Sequence, residues 1–197
     1  MSVSLSGRLP CSPCVRLRCL GVLLGLLGLM GLSGCATQGS SMKKIPLPLA
    51  QDVDIPRFMG DWYVIANIPT FIEKGAHDAV EGYALRTDGR IATTFTFRKG
   101  SFTGPVKTYH PIGTIHDPVT RAEWRMQFVW PFQAAYLITH LDDDYTETII
   151  GVPSRKYAWI MARTPQIPEA RYNDLVRRMA DMGYDVSRLQ KVPQSAR

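Results

Sequence analysis

Side chains that could bind a metal ion or attack a substrate are few in this 197-residue chain, and their spacing assembles no recognisable reaction centre. Four histidines are scattered through a strand-rich region, where a lone histidine is usually structural: His77, His110, His116 and His140. The run Asp142-Asp143-Asp144 lacks the spaced ligands and the glycine of a calcium loop. Ser33 and Ser154 have no nucleophile-elbow context, and no glycine-rich phosphate loop occurs. We therefore predict no catalytic residue, no metal site and no cofactor.

The cysteines carry a different kind of chemistry, because all four lie within the first 35 residues: Cys11, Cys14, Cys19 and Cys35. Arg16 and Arg18 precede an uncharged leucine- and glycine-rich run from Leu20 to Leu32. That run is too short for a stable membrane-spanning helix and suits the apolar part of a signal peptide. It ends in Leu32-Ser33-Gly34-Cys35, which resembles a bacterial lipobox, whose cysteine is lipidated and becomes the first mature residue. The alternative is an uncleaved membrane anchor in which Cys35 is incidental.

Cleavage before Cys35 would define the organisation of the chain. We predict a lipoprotein signal peptide at residues 1–34, the lipidated cysteine and a flexible tether at 35–51, and a folded domain at 52–197. No cysteine follows position 35, so this domain would contain neither a disulfide nor a thiol nucleophile. Several acyl chains on Cys35 would anchor the protein firmly to a membrane, whereas a single chain binds only marginally. Ala36, rather than Asp, resembles the enterobacterial signal for the outer membrane, where we expect the protein to face the periplasm.

The charge of the mature chain gives no reason to expect nucleic-acid binding. The formal net charge of +6 falls to +3 when residues 1–35, which hold three arginines and no acidic residue, are removed. No stripe of lysine and arginine interleaved with aromatic residues appears. We therefore exclude nucleic acid as the principal partner.

The folded domain has the pattern of an all-β protein. Alternating residues bounded by turn signals predict eight strands, at about 61–67, 80–87, 90–98, 105–115, 122–129, 134–141, 145–152 and 157–163. Short links between consecutive strands indicate an eight-stranded up-and-down antiparallel β-barrel, or calyx, which has no free sheet edges. One α-helix follows from Pro168 to Gly183, and its apolar residues at helical spacing should pack on the outside of the barrel.

Three motifs in order are similar to those of the lipocalins. They are Gly60-Asp61-Trp62-Tyr63 at the first strand, Asp144-Tyr145 at the seventh, and Arg163 at the end of the eighth. The stretch Tyr157-Ala158-Trp159-Ile160-Met161-Ala162-Arg163-Thr164-Pro165 resembles the bacterial outer-membrane lipoprotein branch, which is related to apolipoprotein D. The resemblance covers roughly residues 52–192 and implies a calyx that holds a small hydrophobic ligand.

Strand direction brings the motif residues together. In an up-and-down barrel, odd strands begin at the end where even strands finish, so Trp62, Tyr145 and Arg163 should meet at one end. A guanidinium over an indole ring makes a cation–π contact worth about 0.5–2 kcal/mol. We interpret Gly60 and these three residues as the structural closure of the barrel floor, without a catalytic role.

The opposite end should be the mouth of a ligand cavity. If Trp62, Val64 and Ala66 face inward, so do Trp159, Met161 and Arg163; for other strands we choose the bulkier face. The candidate ligand-binding residues are Phe95, Phe97, Met126, Phe128, Trp130, Tyr136 and Trp159, with Trp130 at the rim. This lining lacks polar groups for a sugar or nucleotide and favours an acyl chain. The alternative is that these aromatic side chains fill the barrel.

Basic residues on or beside the predicted mouth loops suggest a second feature. Lys74, Arg98, Lys99, Arg155 and Lys156 could attract the carboxylate or phosphate of a fatty acid or lysophospholipid. The alternative is a solvated loop surface, partly neutralised by Glu73 and Asp78.

The predicted function is therefore a membrane-anchored protein that stores or transports small hydrophobic ligands, with a role in cell-envelope maintenance implied by the family. One alternative is a packed, ligand-free barrel whose exposed tips Phe71, Ile72, Trp130 and Phe132 dock a partner. A lipid-modifying isomerase-type enzyme is a third possibility, although no activated group supports turnover.

Overall fold

The computed structural model describes residues 45–195. The predicted signal peptide, Cys35 and the first part of the tether lie outside this range. Within residues 45–195, no helix is both long and apolar enough to cross a bilayer.

The described residues form a closed antiparallel barrel with a helix on its outside. The strands are β1 Gly60–Ile68, β2 Ala76–Leu85, β3 Ile91–Lys99, β4 Val106–Tyr109, β5 Ile112–Ile115, β6 Glu123–Val129, β7 Phe132–Leu141, β8 Glu147–Gly151, β9 Ala158–Ala162 and β10 Gln190–Lys191. The helices are α1 Ile55–Phe58 and α2 Glu169–Asp181, and a single 3-10 turn spans Val186–Arg188.

The barrel closes because β1 pairs with β2 on one side and with β9 on the other. Between them, each strand pairs with its neighbour in the chain, and β4 and β5 share the position beside β3. The prediction of an eight-stranded up-and-down barrel with an external C-terminal helix is thus confirmed. The predicted strand 105–115 is interrupted between β4 and β5 at Pro111, which cannot donate a ladder hydrogen bond. The short elements α1 and β10 were not predicted.

An irregularity in β1 changes which residues face inward. The pairing register with β9 shifts between Val64 and Ala66. Trp62 and Val64 belong to the cluster inside the barrel, whereas Ala66 belongs to the cluster beneath α2. The expectation that Ala66 faces inward is therefore wrong, because an extra residue in a strand reverses the alternation beyond it.

Helix α2 covers the second cluster with one apolar stripe. Leu175 and Met179 are buried against residues such as Ile149 and Ile160 on the outer face of β8 and β9. Glu169 lies in the first turn, where a negative charge is favourable, and Gly183 follows the helix at φ +80°. The predicted helix and its packing are confirmed.

The two ends of the barrel are distinct. We call the end where β1 begins and β9 finishes the floor, and the opposite end the mouth. The mouth loops are residues 69–75, 100–105, 130–131 and 152–157.

A segment preceding the barrel, residues 45–53, is packed along its outer wall from mouth to floor. At the mouth end, the Ile45 carbonyl accepts a 2.6 Å hydrogen bond from Arg155 Nη2. Further along, Ala50 N donates to Ile138 O, and at the floor Val53 N donates to Thr120 O. Leu47 is buried. Part of the region assigned to the tether is therefore integrated with the domain.

The floor is held by one arginine. The Arg163 guanidinium carbon lies 3.9 Å from the centre of the Trp62 ring system. Its nitrogens donate to four backbone carbonyls, those of Asp61 at 2.9 Å, Arg57 at 2.9 Å, Phe58 at 3.1 Å and Tyr145 at 3.2 Å. One side chain thus ties together α1, the start of β1 and the turn before β8.

The neighbouring motif residues shape the space for this arginine. Gly60 has φ +92°, and a Cβ there would lie 3.3 Å from Arg163 Nη1. The Tyr145 hydroxyl accepts a 2.8 Å hydrogen bond from Asp54 N, and its ring lies 4.2 Å from the Arg57 guanidinium carbon. A β-carbon at position 60 would therefore strain the backbone and crowd the arginine.

We expect Arg163→Ala to destabilise the protein by about 3 kcal/mol, because it removes charge-assisted hydrogen bonds and a cation–π contact. Arg163→Lys should recover only a minor part, since an ammonium cannot serve four carbonyls in the guanidinium's planar geometry. Urea unfolding followed by near-ultraviolet circular dichroism measures both variants. Equal stability of the Lys variant and the wild type would show that charge alone closes the floor.

Candidate ligand-binding cavity

The barrel interior is solid near the floor. Aromatic rings fill it, with centroid separations of 4.9 Å between Phe58 and Trp62 and 5.4 Å between Phe58 and Trp124. Tyr83 adds a third contact to Phe58 at 5.6 Å. The helix α1 delivers Phe58 to this position, and Trp62 Nε1 donates a 2.9 Å hydrogen bond to the Phe58 carbonyl. No ligand can occupy this half of the barrel without displacing these rings.

The mouth half is hollow. A cavity of about 440 Å³ opens at this end, within the range of small-molecule sites. It is lined by Thr70, Phe71, Ile72, Glu73, Glu81, Phe95, Tyr109, His110, Pro111, Met126, Phe128, Val129, Ala134, Ala135, Tyr136, Val152, Tyr157 and Trp159. Most of this wall is apolar or aromatic.

Five of the seven candidate ligand-binding residues share this cavity: Phe95, Met126, Phe128, Tyr136 and Trp159. Phe97 is not part of the lining, since it is buried and packs beside Phe95 and Tyr109. Trp130 is also absent from the lining and is 81% exposed at the hairpin tip between β6 and β7. The register of this hairpin shifts between Met126 and Val129, which turns its end outward.

Two glutamates also line the cavity, although the predicted lining held no polar groups for a sugar or nucleotide. Glu81 lies on β2, two residues before the inward-facing Tyr83, and is 8% exposed. The sequence prediction does not include Glu81, although strand alternation puts it on the same face of β2 as Tyr83. Glu73 comes from the mouth loop after β1, for which strand alternation gives no signal.

Glu81 is coupled to two tyrosines at the base of the cavity. Burial raises the pKa of its carboxyl to about 7, although hydrogen bonds with Tyr83 and Tyr136 partly oppose this and the charge of Glu73 adds to it. The hydroxyls of Tyr83 and Tyr136 also hydrogen-bond each other. Burial likewise raises the pKa of both tyrosines well above the ordinary value, so their hydroxyls stay protonated. The base of the cavity is a compact polar cluster that carries little charge below neutral pH.

Glu73 organises the mouth rather than the base. Its carboxylate accepts hydrogen bonds from Trp159 Nε1 at 2.7 Å and from the Thr70 hydroxyl and amide at 2.6 and 2.9 Å. These bonds fix the loop after β1 against the last barrel strand. They also orient the indole of Trp159, whose ring stacks 6.4 Å from Tyr136.

The basic residues of the predicted rim lie around the cavity and not in its wall. Lys99 Nζ donates to the carbonyls of Ile72 and Lys74, and Arg98 donates to that of Gly104. Arg155 donates to the carbonyls of Met182 and Ile45, on the outside of the barrel beside the end of α2. Lys74 and Lys156 occupy exposed positions on the mouth loops.

The arrangement can enclose an apolar body between two polar positions, Glu81 at the base of the cavity and Glu73 at its mouth. Among residues 45–195, no group of three or more histidine, cysteine or acidic side chains is placed to hold a metal ion.

Comparison with known proteins agrees with this architecture. Residues 53–194 match the family model described as a lipocalin-like domain. The chain is 32% identical to temperature-induced lipocalin-1 of Arabidopsis thaliana, over 78% of this chain and 86% of that one. It is 28% identical to the outer membrane lipoprotein Blc of Escherichia coli, over 74% and 82%. Insecticyanin from the tobacco hornworm Manduca sexta shares the fold, with a TM-score of 0.61 at 15% identity, over 77% of this chain and 86% of that one. The closed eight-stranded barrel is thus matched by sequence as well as by shape, and the chain belongs to the lipocalin family.

Proposed function

We propose that this protein is a membrane-anchored lipocalin that binds and carries fatty acids or lysophospholipids. The observation that carries the proposal is the cavity of about 440 Å³, closed at its base and open at one end. Burial of an acyl chain in such a cavity gains about 0.8 kcal/mol for each methylene removed from water. A bound chain would contact the walls formed by Phe95, Met126 and Trp159.

The interior charges indicate which end of the ligand enters first. Glu73 and Glu81 line the cavity, and no lysine or arginine does. An anionic headgroup placed inside would face these carboxyl groups in a medium of low polarity, which is unfavourable. The acyl tail would therefore enter first, and the headgroup would stay at the mouth near exposed Lys74 and Lys156. This orientation retains the predicted basic rim as a set of long-range attractive charges.

The same proposal places the protein at the outer membrane, attached through a lipidated Cys35 and facing the periplasm. Its support is the lipobox-like sequence together with the similarity to a bacterial outer membrane lipoprotein. A role in maintaining the cell envelope would follow from carriage of membrane-derived lipids.

We expect Met126→Trp to weaken binding of a monomeric lysophospholipid by about tenfold or more, because the larger side chain occupies the base of the cavity. Gln127→Trp in the same strand is the matched control, since Gln127 is not part of the lining. Titration monitored by isothermal calorimetry, with circular dichroism to verify folding, measures the effect. A folded Met126→Trp protein with unchanged affinity would place the ligand elsewhere.

Glu81 should make both stability and binding pH-dependent. Its folded pKa of about 7 exceeds its ordinary value of 4.5, so the folded state holds a proton that the unfolded state has released between these values. The free energy of unfolding should therefore fall as pH rises through this window, and an ionised Glu81 should also disfavour an apolar tail at higher pH. Urea unfolding and ligand titration at pH 5.5 and 8, which lie below and above the folded pKa of about 7, test this. In Glu81→Gln both dependences should shrink; if they persist unchanged, another group is responsible.

Replacement of Cys35 by Ser should release the protein from the membrane fraction, because the acyl chains that hold it there would be missing. Mass spectrometry of the wild-type N-terminal peptide should show a diacylglycerol-modified cysteine. A Cys35→Ser protein that remains in washed membranes to the same extent as the wild type would contradict the anchor.

A further inference from the structure

The mouth loops present large apolar side chains to solvent. The most exposed are Phe71 at 82%, Trp130 at 81% and Phe132 at 76%, and they are joined by Phe128 and Val129. Trp130 and Phe132 lie on the β6–β7 hairpin, which extends beyond the cavity wall. Apolar groups concentrated on one end of a monomer are typical of an interaction surface and not of a solvated rim.

Exposed charge differs between the two ends of the barrel. On the mouth loops, the exposed charged residues are basic, including Lys74 and Lys156, and the sole carboxylate, Glu73, is buried and hydrogen-bonded to Trp159. The floor turns carry mixed charge, with Asp88 paired to Arg86 and Arg90, and with the run Asp142-Asp143-Asp144. A surface of aromatic and basic residues suits the interface of a membrane that contains anionic lipid.

The position of the first described residues also favours contact between the mouth and the membrane. Arg155 fixes the Ile45 carbonyl at the mouth end, and residues 46–53 run from there toward the floor. Nine residues lie between Cys35 and Ile45, so the two residues are at most about 35 Å apart even if the chain between them is fully extended. A nine-residue strand spans about 30 Å, so an orientation with the floor on the membrane would use most of that reach. An orientation with the mouth on the membrane requires only a small part of the reach between Cys35 and Ile45.

We propose that the mouth docks on the lipid bilayer, with Trp130 and Phe132 inserted at its interface and the cavity opening onto the lipid. This proposal rests on the proposed anchor at Cys35 and adds the orientation of the molecule to it. The ligand then passes between bilayer and cavity without exposing its acyl chain to water. The basic residues around the mouth meet the phosphates of the lipid headgroups.

Site-specific fluorescence quenching tests the orientation. No cysteine follows position 35, so a label can be attached at one chosen site of the complete lipoprotein. Phe132→Cys labels the mouth, and Asp143→Cys is the matched control at an exposed floor turn. Each labelled lipoprotein is reconstituted in vesicles of phosphatidylethanolamine and phosphatidylglycerol containing spin-labelled lipid. We expect quenching at position 132 to be at least about threefold stronger than at 143, because an inserted label contacts the acyl region.

Each outcome of this experiment bears on a different claim. Equal quenching at the two sites, or stronger quenching at position 143, overturns the docking proposal while the anchor stands, and would leave a protein partner as the occupant of the mouth. A lipoprotein that fails to float with the vesicles overturns the anchor and, with it, the docking.

The variant Phe132→Gln separates docking from ligand affinity, because Phe132 is not part of the cavity lining. We expect it to slow transfer of a fluorescent fatty acid from vesicles to the protein by about fivefold, while affinity for a water-soluble lysophospholipid stays unchanged. Unchanged transfer in this variant would contradict a role for the hairpin tip at the bilayer.

Discussion

The contact of the Arg163 guanidinium with the Trp62 indole is the interaction on which the rest of the barrel depends. It joins the residue after β9 to the third residue of β1, and its hydrogen bonds add α1 and the turn before β8. The described domain contains no cysteine, so closure is achieved without a disulfide. Because the floor is closed by packed aromatic rings and a guanidinium, open space in the barrel is confined to the mouth half.

The boundary between the solid and hollow halves is polar, and this determines what the cavity can hold. Glu81, Tyr83 and Tyr136 satisfy one another's hydrogen-bonding groups there, as buried polar groups must. A purely apolar base would not repel either the headgroup or the acyl tail of an amphiphile once that group had been desolvated. A base with a titratable carboxyl discriminates between the two ends, because its protonated form can border an apolar tail whereas its ionised form repels an anion.

Much of this architecture could be predicted from the sequence. Strand alternation assigns each side chain to the inner or outer face of the barrel, and strand direction assigns each strand end to the floor or the mouth. They placed Trp62 and Arg163 at the same end and directed Phe95, Met126 and Trp159 inward. Alternation failed beyond the register shifts, at Ala66 in β1 and at Trp130 in the β6–β7 hairpin. No local rule could reveal that Arg155 reaches the end of α2 and the segment before the barrel, since that contact depends on where three separate parts of the chain meet.

The contact of Arg155 illustrates a general point about the basic residues near the mouth. Such residues can have a structural role and do not by themselves form a binding site for a lipid headgroup. Three of these basic side chains donate hydrogen bonds to backbone carbonyls, namely those of Arg98, Lys99 and Arg155. These bonds fix the mouth loops and hold the three side chains in place before any ligand binds. Their charge nevertheless remains at the mouth, and the buried Glu73 is the only carboxylate within the four mouth loops. A charge that is fixed structurally acts at long range on any anionic surface, and screening limits this range to roughly 10 Å. In the proposed docking, such a field would orient the whole molecule, and the exposed rings of the β6–β7 hairpin would act at the same end of the barrel over a much shorter distance.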